Sequence, residues 1–161
     1  MRVSRLIALV LVVALGLVVR GLVGGDDQAG QVRVERVVDG DTVVLSGVGK
    51  VRLIGIDTPE VYGGVECYGR AASAFAKRSL PEGARVRYRL GVEERDRYGR
   101  ALAYVWLPDG RMFNQILAER GYAQPLTIPP NDQYAPVFVA AARRARRAEV
   151  GLWGLPGCAG G

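Results

Sequence analysis

The chain has 161 residues, 49% of them hydrophobic and 24% charged, which suits one folded domain plus a leader and excludes global disorder. Its formal net charge of +6 favours anionic partners such as nucleic acid or an acidic membrane surface. There is no histidine, so a Ser-His-Asp triad, histidine acid–base chemistry and histidine metal sites are excluded, and any catalysis must rest on carboxylates, arginines, lysines, tyrosines or a cysteine.

Arg2 and Arg5 precede an uninterrupted apolar run from Leu6 to Val19, which Arg20 ends. A charged start followed by such a run reads as a signal peptide. With Arg20 at the interface, the apolar stretch extends to Val23 and just spans a bilayer as an anchor. Residues 1–30 are therefore expected to be a signal peptide or membrane anchor plus a Gly/Asp-rich linker, and 31–161 one folded domain. Either form places that domain outside the cytoplasm, secreted or anchored, and touching a membrane only through the uncleaved segment. A buried core helix is the bland alternative, at odds with the terminal position and the lack of a polar face.

Val32 to Val38 alternates and is rich in valine, so it reads as a strand. Asp39-Gly40 signals a turn, Thr42 to Leu45 a second strand, and Gly47 to Gly49 a hairpin turn. Lys50 to Ile56 reads as one continuous third strand, with Gly55 hinting at a bulge or bend. A helix is expected from about Gly69 to Leu80, ended by Pro81-Glu82-Gly83. Ala84 to Leu90 is the fourth strand, Glu93 to Gly99 a charged hairpin loop, and Arg100 to Leu107 the fifth strand. A short helix from about Met112 to Arg120 stops at Gly121. Gln124 to Asp132 is an irregular proline-rich loop, and a last helix runs from about Tyr134 to Glu149 with four arginines on its outer face. This α+β order, five short strands with a helix after the third and about three helices in all, matches the five-stranded OB-fold barrel.

Cys67 and Cys158 are the only cysteines. Outside the cytoplasm an even pair suggests a disulfide, worth about 4–5 kcal/mol for so long a loop in the chain-entropy model. Two unpaired thiols are the alternative.

Asp41 and Asp57 sit at ends of expected barrel strands. Two carboxylates, a nearby main-chain carbonyl and waters can hold a hard cation such as calcium, which tolerates irregular oxygen coordination. Glu60 follows Asp57 across a rigid Thr-Pro turn and could orient or deprotonate a water beside such an ion. Arg52 and Arg100 lie on barrel strands and offer planar forks for phosphate oxygens. Bland readings stand beside these. From spacing alone Asp39-Gly40-Asp41 is more often a plain hairpin turn than a metal site, while Thr58-Pro59-Glu60 serves as a turn or helix start, Arg52 as a surface residue paired with Glu60, and the 93–100 stretch as a solvated tip. Parity is a difficulty, because in a regular strand Arg52 and Asp57 point to opposite faces. A shared site needs a bend near Gly55, or Asp57 already in the turn.

VVDGDTVVL, VRLIGIDTPE, DRYGRALAYVW and DGRMFNQILAERGYA resemble, in order and spacing, the motifs of the thermonuclease family, the staphylococcal-nuclease-like proteins. The resemblance runs from about Val32 to Trp153. It implies a calcium-dependent phosphodiesterase on an OB-fold, acting on DNA and RNA with little sequence preference and leaving 3′-phosphate ends. By similarity, Asp41 and Asp57 would be calcium ligands through their carboxylates and Thr58 through its main-chain carbonyl. Glu60 would be the general base, Arg52 and Arg100 would stabilise the reacting phosphate, and Arg97 and Tyr98 would contact the nucleotide beyond the cut. The loop QPLTIPPND departs from the family, having no aromatic where its members place tyrosines beside the nucleotide. The cysteine pair suits an exported branch, with Cys67 beside the first helix reaching Cys158. A monomer is expected. The alternatives are a catalytically weak OB-fold module that binds single-stranded nucleic acid and a protein-interaction domain, for which the acidic set should be eroded.

Overall fold

The structure is a computed structural model that describes residues 30–158. The expected signal or anchor segment lies outside the described residues. In chain order the elements are β1 (Gly30–Val37), β2 (Thr42–Leu45), β3 (Gly49–Leu53), β4 (Gly55–Asp57), α1 (Gly69–Ser79), β5 (Arg85–Arg95), β6 (Ala101–Trp106), α2 (Phe113–Glu119), β7 (Gln124–Leu126) and α3 (Ala135–Arg147), followed by a 3-10 turn at Gly151–Gly154.

Five strands close into a barrel in the order β1-β2-β3-β6-β5, as the α+β, OB-fold reading expects. Every barrel pairing is antiparallel except β3 with β6, which is parallel. Alternation explains the barrel's two faces. Val34 pairs with Leu45, Val43 with Val51 and Leu53 with Ala103, all buried in the interior. The residues between them point outward, and there Arg52 lies between Thr42 of β2 and Leu102 of β6.

Three expectations need correction. The third strand is not continuous to Ile56. It breaks at Ile54, and Gly55 takes φ +82°, a conformation that only glycine adopts without strain. A Cβ at Gly55 would stand 2.1 Å from the Phe138 ring of α3, so position 55 must lack a side chain on two counts. The chain leaves the barrel there as β4. Second, the 124–132 loop is not wholly irregular, because Gln124–Leu126 forms β7 and pairs antiparallel with β4. Third, the charged stretch after Leu90 continues as strand to Arg95, and the reversal is confined to Asp96–Arg100.

The break is held by a side chain that periodicity does not reveal. Asn114 on α2 is fully buried. Its Oδ1 accepts the Val105 N–H at 3.0 Å, and its Nδ2 donates to the Ile54 carbonyl at 2.9 Å and the Ala103 carbonyl at 3.3 Å. One amide thus satisfies main-chain groups on β6 and at the β3–β4 break. Asn114→Ala is expected to lower the unfolding free energy by about 3 kcal/mol, because buried polar groups lose their partners. Denaturant unfolding of the two proteins measures this, and a loss under about 1 kcal/mol would mean that the break holds without the amide.

Candidate active site

Asp39 builds the turn that delivers Asp41. Its Oδ1 accepts the N–H groups of Asp41 at 3.1 Å and Thr42 at 2.7 Å, the local side-chain-to-backbone pattern that makes aspartate a turn former. Asp39 makes the turn of Asp39-Gly40-Asp41, and Asp41 is turned inward and buried. Asp41 Oδ2 accepts the Thr58 N–H at 3.0 Å and the Thr58 hydroxyl at 2.9 Å, while Oδ1 accepts weakly from the Thr42 hydroxyl at 3.2 Å. Burial pushes the Asp41 carboxyl up to about 6, against the pull of the Arg52 charge and the Thr58 N–H and with a further push from Asp39.

The bend at Gly55 resolves the parity difficulty. The chain from Leu53 to Asp57 wraps around the Arg52 guanidinium, whose Nη1 donates to the carbonyls of Leu53 at 2.5 Å and Ile56 at 3.0 Å. Nη2 reaches Asp57 Oδ1 at 2.5 Å and Asp41 Oδ2 at 3.2 Å. One nitrogen touches both carboxylates, so their two oxygens stand no farther apart than those two distances joined end to end. The side chains of Arg52 and Asp41 are only 14% and 9% exposed, whereas that of Asp57 is 53% exposed. Arg52 is thus no surface residue paired with Glu60, since its ion pairs go to Asp41 and Asp57.

Glu60 is exposed, two residues past Thr58. Its carboxyl is raised above the usual range by burial first, then by the negative charges of Asp39, Asp57 and Glu66, with Arg52 opposing. The other acids of this corner therefore repel Glu60.

Arg100 follows the Asp96–Arg100 reversal. Asp96 Oδ1 accepts the N–H groups of Tyr98 and Arg100, and Oδ2 holds Arg100 Nε at 2.7 Å. Burial pushes the Asp96 carboxyl up, but the Arg100 hydrogen bonds and charge outweigh it and hold it low. Arg52 pairs with Leu102 across the parallel strands, and Arg100 lies two residues before Leu102. Both arginines line one cavity of about 450 Å³, together with Arg97, Tyr98, Leu102 and Leu126. The Tyr98 ring is 68% exposed, and the guanidinium groups of Arg97 and Arg100 lie over it at 4.8 and 5.6 Å. Cys67 and Cys158 form a disulfide with Cα atoms 5.2 Å apart.

Arg52 therefore contacts both Asp41 and Asp57, and Asp41 in turn holds Thr58; Glu60 interacts with Asp57 and Arg52 through charge, and Arg100, Arg97 and Tyr98 line the cavity that Arg52 also lines. Sequence reasoning found Asp39 only as a turn residue and missed Asp96 and Glu66, which hold Arg100 and the Glu60 main chain. The i,i+4 spacing of Asp96 and Arg100 was a usable signal for one of them. The oxygen set fits a hard dication. Among the described residues no group of three or more Asp, Glu, Cys or His could hold a metal ion, and an ion beside Asp41 and Asp57 would need water or main-chain oxygens to complete its coordination. The repulsion of Glu60 by its neighbouring acids is what such an ion would relieve.

The family model described as staphylococcal nuclease homologue matches residues 50–154. A thermonuclease of Staphylococcus intermedius is 44% identical over 126 residues, covering 74% of this chain and 74% of that protein. A thermonuclease of Staphylococcus hyicus is 41% identical over 127 residues, covering 75% of this chain and 74% of that protein. Endonuclease YhcR of Bacillus subtilis is 34% identical over 134 residues, 74% of this chain but 11% of that much longer protein.

Proposed function

The chain belongs to the staphylococcal nuclease family and is a phosphodiester-hydrolysing nuclease, and from that premise we propose that it cuts DNA and RNA with little sequence preference, uses calcium and leaves 3′-phosphate ends. The observation that carries this reading is the single Arg52 guanidinium shared by Asp41 and Asp57, on the wall of the cavity that Arg100 also lines.

Asp41, Asp57 and the Thr58 carbonyl would hold the ion. Bound there, calcium would polarise a phosphate oxygen and make a neighbouring water more acidic. Glu60 takes the proton of the attacking water, and its raised affinity for protons suits that task. Arg52 and Arg100 donate to the phosphate oxygens on which charge accumulates. Asp96 fixes Arg100 by its Nε, so the guanidinium is oriented before substrate arrives. Arg97 draws the neighbouring phosphate, and Tyr98 offers an exposed ring on which a base stacks. Readout by stacking and phosphate contact carries little sequence information, which supports cutting without strong base preference. All these residues come from one chain, so we read the monomer as the working unit. The apolar N-terminal run and the disulfide support a domain that works outside the cytoplasm, secreted or anchored.

Incubation with single-stranded and duplex DNA and with RNA tests this directly. Cleavage is expected with calcium, is expected to disappear on chelation, and should return when calcium is restored. End-group analysis should find phosphate on the 3′ side. A retarded but intact band in calcium would leave a binding module rather than a calcium nuclease, and cleavage that survives chelation would remove the ion from the reaction.

A further inference from the structure

The stretch between Glu60 and Gly69 folds back on itself. The Glu60 N–H donates to Glu66 Oε2 at 2.9 Å, and the Glu66 N–H donates to the Glu60 carbonyl at 2.9 Å. Between them, Tyr62, Gly63, Gly64 and Val65 are exposed, and both glycines have positive φ. Tyr62 is tied to the rest of the fold by its hydroxyl, which donates to the Val38 carbonyl at 3.2 Å. An exposed loop with paired glycines orders only as far as such ties hold it.

On its C-terminal side the fold-back is fastened. A Cβ at Gly69 would stand 2.4 Å from the Glu60 carbonyl oxygen and 2.9 Å from that of Pro59, so α1 begins hard against the main chain of the base. Glu66 is followed directly by Cys67, which the disulfide joins to Cys158, 91 residues away. Glu66, Cys67 and Cys158 line a cavity of about 360 Å³ together with Asp57, Thr58 and Pro59. The C-terminal tail is thus stapled beside the turn that carries the acids.

We propose that Glu66 is a positioning residue for Glu60: its carboxylate, held in place by the Cys67–Cys158 disulfide, fixes the main chain from which the base projects. This rests on the reading of Glu60 as the base. Proton transfer from a water needs the acceptor within hydrogen-bond reach, and displacement by about 1 Å costs up to a hundredfold in rate. Pro59 has no N–H to offer, so the first main-chain donor after Thr58 is that of Glu60, and Glu66 takes it. The carboxylate acts through its acceptor oxygen, which an amide in its place also supplies.

Single-turnover and steady-state rates on DNA with saturating calcium test this for Glu60→Gln, Glu66→Ala, Glu66→Gln, the double variant E60Q/E66A and the double variant C67S/C158S, each shown folded at the assay temperature by near-UV circular dichroism. Glu66→Ala should lower kcat about tenfold or more with KM nearly constant, and Glu66→Gln should recover most of that loss. E60Q/E66A should be no slower than E60Q, since no base remains to be placed, and C67S/C158S should lose kcat in the same direction as Glu66→Ala. A wild-type kcat in Glu66→Ala beside a slow E60Q overturns the positioning role and leaves the base. Wild-type turnover in E60Q overturns both. Equal losses in Glu66→Ala and Glu66→Gln, or additive losses in the double variant, overturn the hydrogen-bond account.

Discussion

Glu60→Gln is expected to lower kcat by about two to four orders of magnitude, the range that a positioned general base contributes, while nucleic acid binding stays near the wild-type value. Glutamine keeps the length of the side chain and an acceptor oxygen, but it cannot take a proton at neutral pH. Binding should survive because the groups proposed to meet the phosphates are Arg52, Arg97 and Arg100, none of which forms an ion pair with Glu60. Removing this acid also removes one of the charges that crowd the corner, since Asp39, Asp57 and Glu66 each repel Glu60. Affinity for an anionic substrate should therefore hold or rise slightly. Rates under single-turnover conditions, beside a binding isotherm in calcium, separate the two quantities. Turnover equal to wild type would remove Glu60 from proton transfer, and a parallel loss of binding would recast it as a structural acid.

The barrel was legible because its strands alternate, and alternation is a local property that survives in the sequence. Val34, Leu45, Val51 and Leu53 point inward as their spacing requires. What periodicity could not show is where a strand stops being part of the barrel. Residues 50–56 read as one strand, yet the chain departs at Ile54, where Phe138, more than eighty positions later, occupies the space beside Gly55. Short β7 was hidden for the same reason, since it exists only because β4 leaves the barrel and needs a partner. Acids and arginines could be found by type, whereas the residues that hold them left weaker signals, a turn dipeptide for Asp39 and an i,i+4 spacing for Asp96. Asp39, Asp96 and Asn114 work by hydrogen bonds to main chain, and such bonds leave little trace in composition.

Arg52→Ala should reduce turnover at least about a thousandfold, as expected where one arginine stabilises the charge that develops on a transferred phosphoryl group, and it should also destabilise the fold. The two effects share one origin. The guanidinium closes the bend by binding the Leu53 and Ile56 carbonyls and is the counter-charge of Asp41. Without it, Asp41 stays buried with the Thr58 and Thr42 donors but no cation, a loss of about 3 kcal/mol in the absence of calcium. The sign of its pH dependence follows from Asp41. The folded protein already holds that carboxyl at about 6, above its usual 3.8, and removing Arg52 raises it further because a favourable charge is gone. The stability deficit is therefore largest above neutral pH, where Asp41 must be ionised. It shrinks as the pH falls through about 6, below which Asp41 is protonated in both proteins, and what remains there measures the lost bonds to the two carbonyls and to Asp57. Thermal unfolding in chelator across that range tests the account, and a deficit independent of pH would show that Arg52 does not serve as Asp41's counter-charge. Arg52→Lys separates structure from chemistry. A lysine restores the charge and with it part of the stability, but it has no planar fork to span two acceptors, so turnover should stay low. A lysine variant as active as wild type would mean that the site needs only a positive charge at this position.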